Sequence, residues 1–228
     1  MAARKKKALT RKNPLILREP PLLKLDLGSG PRPAEGFKGV DIVQGVTDFR
    51  VDLCSGESWP FAANSVDELR SSHFIEHIDA GYVWIGERGF QARRDALLWF
   101  FDEAFRVAKD GAVFTVQWPA LQSVRAFQDP THRRFIPAET ITYLSREGRK
   151  AMGVEHYGAT CNWVGHVQPT IPGPTADETK EAEAMALRAD SSDEKQAWIQ
   201  RVQSEQGRRY RETWNYAQDF IAVLKAVK

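Results

Sequence analysis

Two short runs hold the side chains best suited to acid–base or metal chemistry. The first is His73-Phe74-Ile75-Glu76-His77, directly after Ser71-Ser72; the second is Asp129-Pro130-Thr131-His132-Arg133-Arg134-Phe135. An unperturbed imidazole titrates near neutrality, so His77 and His132 are candidates to take a proton from an oxygen or nitrogen, with Glu76 orienting one of them. The first run also reads H-x-x-E-H, in which two histidines share one metal when both lie within a helix and a distant residue supplies a third ligand. His73 directly follows a strand candidate, so the two rings need not share a face, and no metal is expected. A structural role also fits both runs: Glu76 and His77 capping a helix, His132 and Arg133 ordering their loop through hydrogen bonds.

A second group of residues has the spacing of a nucleoside site. Leu22-Leu23-Lys24-Leu25-Asp26-Leu27 is a short apolar run that enters Gly28-Ser29-Gly30. Such a run reads as a buried parallel strand, and the glycines let backbone approach a ligand closely. About ten residues on, Phe37-Lys38-Gly39-Val40-Asp41-Ile42 repeats the strand pattern with an acid near its end. This is not the dinucleotide fingerprint: the third glycine position is Pro33, and Asp41 follows too soon. Pro31 and Pro33 leave no room for the helix N-terminus that a pyrophosphate needs.

At this point the chain resembles the class I methyltransferases that use S-adenosyl-L-methionine (SAM), a nucleoside without phosphate. Their first motif reads much like LDLGSG. The later runs also resemble that family: Asp52-Leu53 before Trp59-Pro60-Phe61, then Ser72-His73-Phe74-Ile75-Glu76-His77-Ile78, and the D-P-T-H-R-R-F segment. The resemblance covers roughly residues 22–145. It implies cofactor contacts at Asp26, Gly28, Ser29, Gly30, Asp41, Ile42, Asp52, Leu53 and His73, with Asp41 on the ribose hydroxyls and Asp52 on the adenine amine. It implies an acceptor side carrying His132, His77 and Glu76. No N-P-P-Y run follows the fourth strand and no Pro-Cys pair occurs, which disfavours DNA amino-group and cytosine-5 enzymes. The expected acceptor is a small molecule, sugar or nucleotide rather than a protein. A nucleic-acid-binding module of the same fold without turnover, and an H-x-x-E-H zinc peptidase, are the competing readings.

The elements that must position these residues follow from pattern. The expected fold is α/β, a Rossmann-like methyltransferase sheet with shortened early helices and a C-terminal helical insertion. The gaps between the first three strands are shorter than a helical crossover needs. A fourth strand is expected over 66–72, an amphipathic helix over 95–108 with Leu98, Phe101, Phe105 and Ala108 on its stripe, and a turn at 109–111. A fifth strand should cover 112–119 and a helix should start at Pro137. Residues 79–94 show no period and read as a loop or lid beside the site. A sixth strand is expected over 157–164, a polar helical pair over 174–212 lying on the domain or on a second subunit, and a last strand over 214–224.

Length and composition fit one α/β domain: 228 residues, 42% hydrophobic and 27% charged. Cys54 and Cys161 lie far apart in no ligand-like pattern. The charge is uneven. Residues 1–20 hold Arg4, Lys5, Lys6, Lys7, Arg11, Lys12 and Arg18 against Glu19 alone, a net +6 in a chain that totals +2. Such an arm is either a solubilising tail or a handle for nucleic acid or another polyanion. No apolar run is long enough for a membrane helix, and Arg18-Glu19-Pro20-Pro21 breaks the run that follows the basic start, so a cytoplasmic protein is expected.

Overall fold

The computed structural model describes residues 22–45, 47–85, 92–170 and 218–228. The basic arm and the 174–212 insertion lie outside these residues.

Strand β1 (Lys24–Leu27) is buried from Leu25 onward. It pairs in parallel with β2 (Lys38–Asp41) on one side and β4 (Val66–Ser72) on the other, and β3 (Phe49–Arg50) extends the sheet beyond β2. β7 (Ala108–Pro119) lies parallel to β4. The last strand, β9 (Asp219–Ala226), inserts antiparallel between β7 and β8 (Trp163–Thr170). The order is β3-β2-β1-β4-β7-β9-β8, an α/β Rossmann-like sheet as expected. Strand order reverses between β1 and β4, where open sheets of this kind bind ligands outside the strand C-termini. Neither early connection contains a helix among its described residues, in line with the short spacing.

Helix α1 (Ala96–Val107) crosses from β4 to β7. Asp95 caps it, accepting from the Leu97 and Leu98 N–H groups at 2.9 and 3.3 Å. Its inner stripe is rotated from the expected one. Leu97, Phe100, Phe101, Ala104 and Val107 are buried, while Leu98 and Phe105 are half-buried. Phe100 and Phe101 pack on Phe114 of β7, with ring centroids at 6.2 and 5.9 Å.

Several expectations needed correction. Residues 108–111 are not a helix-ending turn but the start of β7. They form a bulge, with a register shift against Val66/Glu68 and φ of +77° at Gly111. The supposed loop or lid at 79–94 contains a separate hairpin, β5 (Tyr82–Ile85) with β6 (Ala92–Asp95), whose central residues 86–91 lie outside the described ones. Its apolar and arginine residues mix without alternation, so period gave no strand signal. The helix after Pro137 is a 3₁₀ segment (Ala138–Leu144) followed by the short α2 (Arg146–Ala151). The sixth strand starts at Trp163, since Tyr157 ends a 3₁₀ turn closed by Gly158 at φ +74°. The last strand runs to Ala226, and its residues 219–224 match the expectation.

Candidate active site

The Gly turn after β1 is built by backbone. The Gly28 N–H donates to Val40 O at 2.8 Å, and the Gly30 N–H donates to Asp41 Oδ2 at 2.8 Å. Gly28 takes φ +70°, and a Cβ there would lie 2.2 Å from the Phe74 ring, so only glycine fits. Asp41 Oδ1 accepts from the Val43 N–H at 3.1 Å, so the acid at the end of β2 ties its own loop to the Gly turn. Asp52 is fixed the same way, with Oδ1 accepting from the Cys54 N–H at 2.9 Å. The Trp-Pro-Phe segment behind it is held by α1. Glu103 accepts from the Trp59 N–H at 2.8 Å, and Arg106 donates to the Trp59 and Phe61 carbonyls at 3.0 and 2.9 Å.

These strand ends enclose a cleft of about 140 Å³, partly open to solvent. Asp41, Ile42, Asp52 and Leu53 line it, as do Phe74 and His77. Thus four of the nine cofactor candidates meet there. Gly28, Ser29 and Gly30 border it through the Asp41 bond rather than lining it. Asp26 has a different setting: it is 1% exposed, and its carboxylate accepts from the Ala34 N–H at 2.8 Å and from Arg70 at 3.1 Å. His73 is also absent from the lining. Cys54, which sequence reasoning left out, does line the cleft, and burial followed by the charges of Asp52 and Asp79 pushes its thiol up to about 12.

The acceptor-side residues come together from distant segments. Glu76 and His77 sit on a single 3₁₀ turn (Ile75–His77) at the tip of β4. The Glu76 carbonyl accepts two N–H groups, from Arg133 at 2.8 Å and Arg134 at 3.0 Å. Arg134 then clamps the loop. Its guanidinium donates to the carbonyls of Ile78 and Asp79 at 3.1 and 2.7 Å and to Asp95 at 3.0 Å. Trp118 of β7 donates from Nε1 to Ile136 O at 2.8 Å, so this core side chain supports the loop. The result places the His77 and His132 rings edge to face, with centroids 4.8 Å apart. Loop ordering thus falls to Arg134 and to the His132 bond with the Ala126 carbonyl, and not to the Arg133 side chain, which is more than half exposed and 3.9 Å from Asp79.

Hydrogen bonding assigns the tautomers. His132 Nδ1 lies 2.8 Å from the Ala126 carbonyl, which only accepts, so this nitrogen carries the proton. Thr131 Oγ1 donates to Asp129 Oδ1 at 2.6 Å and therefore accepts from His77 Nδ1 at 3.0 Å. In the neutral rings both Nε2 atoms then carry lone pairs. The Thr131 hydroxyl and N–H, with smaller contributions from His132 and His77, hold the Asp129 carboxyl below its ordinary range.

His73 completes a polar edge that the sequence did not suggest. It takes the left-handed φ of 52°, costly for a non-glycine residue. Its Nε2 lies 3.7 Å from Asp219 Oδ2, beyond hydrogen-bond reach; that oxygen accepts from Gln117 and Arg125 at 3.0 and 2.9 Å. Asp219 is 102 residues from Gln117 and reaches it only because β9 inserts beside β7. No spacing signal predicts such a partner. His73 and His77 share no helix, which removes the geometry of the zinc-peptidase motif.

No protein-family model matches the chain, and no curated protein matches it. Solved structures do. A SAM-dependent methyltransferase from Archaeoglobus fulgidus superposes with a TM-score of 0.50 at 17% identity, covering 90% of this chain and 86% of that one. A SAM-dependent methyltransferase from Mesorhizobium loti gives 0.44 at 12% identity over 90% and 91% of the two chains. Phosphoethanolamine N-methyltransferase 2 from Haemonchus contortus, solved with SAM, gives 0.44 at 14% identity over 90% of this chain and 48% of that one. The sheet order and the Archaeoglobus likeness define the fold: this is a Rossmann-like class I methyltransferase fold. No described helix is long and apolar enough to cross a membrane.

Proposed function

We propose that the chain binds SAM in the cleft at the ends of β1, β2 and β3 and transfers its methyl group to an acceptor entering beside Glu76, His77 and His132. The observation that carries this reading is the meeting of Asp41 and Asp52, from the ends of two different strands, with His77 in one cleft. Asp41 receives the ribose hydroxyls: each of its oxygens accepts one backbone N–H and keeps a further lone pair. Asp52 receives the adenine amine, with Ile42 and Leu53 as apolar neighbours. Methyl transfer asks mainly for alignment of sulfur, methyl and nucleophile with water excluded. The cofactor supplies the electrophile. His132 or His77 offers an Nε2 lone pair for the acceptor's proton.

The acceptor in this reading is a small molecule, sugar or nucleotide. Residues 21–228 form one cytoplasmic methyltransferase domain, and the 1–20 arm adds affinity for a polyanion. Calorimetry tests the cofactor site. Asp41→Ala should weaken SAM binding by about 1–3 kcal/mol, the scale of a charged hydrogen bond lost with its partner left bare. Equal binding by both proteins would remove Asp41 from the site. Transfer of labelled methyl from SAM to extract pools then identifies the acceptor class.

A further inference from the structure

We propose that Glu76, His77 and His132 form a binding site for a divalent first-row transition-metal ion, of the Zn²⁺ or Mn²⁺ class. One ligand atom from each residue lies within 4.8 Å of the other two. Three independent features of the site support an ion there.

The first is the carboxylate. Glu76 is 2% exposed, and neither of its oxygens has a hydrogen-bond partner among the described residues. His73 Nδ1 lies 3.3 Å from Oε1 without hydrogen-bond geometry. A buried carboxylate in this state is costly, and a cation beside it offsets that cost.

The second is the tautomer pattern. Both histidines commit Nδ1–H elsewhere, His132 to the Ala126 carbonyl and His77 to Thr131, which is itself bonded to Asp129. Their Nε2 lone pairs are what a metal takes, and a carbonyl or a carboxylate-backed group on the far nitrogen is the usual arrangement of a ligating imidazole.

The third is the donor set. Two imidazoles and one carboxylate suit borderline ions, whereas Ca²⁺ and Mg²⁺ prefer oxygen ligands alone. Bonds of about 2.1 Å hold ligand atoms no more than about 4.2 Å apart. Three ligand atoms around one such ion sit about 3.4 Å apart, so the triad closes by up to roughly 1.4 Å on binding, and His77, the half-exposed ring, turns inward about its Thr131 bond.

This departs from the metal-free expectation of the sequence and from the His73/His77 pairing of the peptidase motif. It deepens the methyl-transfer reading and rests on it only for the ion's purpose. Three protein ligands leave positions open beside the cleft that His77 lines. An acceptor with a hydroxyl fills one of them. The bound hydroxyl releases its proton to solvent, its oxygen pair forms the O–CH₃ bond, and the S–CH₃ pair stays on sulfur.

The test uses the full chain, dialysed against chelator and titrated without SAM, so that it is independent of methyl transfer. Co²⁺ is the spectroscopic probe and Zn²⁺ the calorimetric one. One equivalent should bind, with visible ligand-field absorption from Co²⁺. Glu76→Gln and His132→Ala should each weaken binding at least 30-fold. Thr131→Val, which leaves the ligands in place but frees the His77 tautomer, should weaken it about tenfold. Circular dichroism melts identify any variant that fails to fold, and His77→Ala, at the half-exposed position, then replaces it. Absence of binding, or binding that all these variants retain, overturns the site and returns the two imidazoles to proton acceptance.

Discussion

The two halves of the cleft are built by opposite means. On the cofactor side, Gly28 to Asp52 is one continuous stretch in which backbone amides answer nearby carboxylates: Gly30 with Asp41, Val43 with Asp41, Cys54 with Asp52. On the acceptor side, Glu76 meets residues 133–134 through two backbone bonds, Arg134 ties that loop to Ile78, Asp79 and Asp95, and Trp118 of β7 holds Ile136. A site made of neighbours in sequence survives the loss of one distant contact. A site made of distant segments depends on each clamp. The two halves touch at Phe74, whose ring fills the space a Gly28 side chain would need and lies 5.5 Å from Phe100 in the core.

The sharpest separation of the halves is His132→Ala. Methyl transfer should fall by roughly 10²-fold or more, the scale of a lost group that activates the acceptor, while SAM affinity barely moves. Steady-state transfer and calorimetry on the same preparation check it. Wild-type turnover would make His132 a loop support only.

Gly28→Ala attacks the contact between the halves. The positive φ and the clash with Phe74 should cost about 2 kcal/mol or more, read as a lower urea midpoint. SAM binding should weaken in parallel. A stable variant that binds normally would mean that Phe74 can move aside and that the halves are not coupled through it.

Cys54 reports on the cofactor side. With its thiol pushed up to about 12, little thiolate is present at pH 8. Peptide-resolved alkylation should run about tenfold or more slower than for an ordinary exposed thiol, and saturating SAM should slow it further. Labelling that ignores SAM would place the cofactor elsewhere.

The smallest effect compares exposed acids from each half. Asp48 is held below its ordinary range by Lys38 and then the Gly39 N–H, and Asp129 chiefly by Thr131. A lowered folded pKa stabilises above the unfolded value of about 3.9 and is lost as pH falls through the folded value. Thermal melts should therefore drop below about pH 4, and Asp48→Asn or Asp129→Asn should each flatten that limb by roughly a few degrees at most. An acid limb unchanged in both variants would assign it to other groups.

The sequence alone determined what depends on neighbours. Leu25 to Leu27 had to be a buried strand, the glycines after it had to turn, and Asp41 and Asp52 fell at strand ends because apolar runs stop there. Short gaps ruled out early helices for the same local reason. The stripe of α1 was legible in period but not in phase, because which face turns inward depends on where β7 lies. The β5–β6 hairpin, the reach of β9 to Gln117, the clamp by Arg134 and the isolation of the Glu76 carboxylate were decided by tertiary structure. The β9 and Arg134 contacts pair groups tens of residues apart, and Arg134 meets backbone carbonyls. Every residue carries such a carbonyl, so composition and spacing leave no mark of the one that is used.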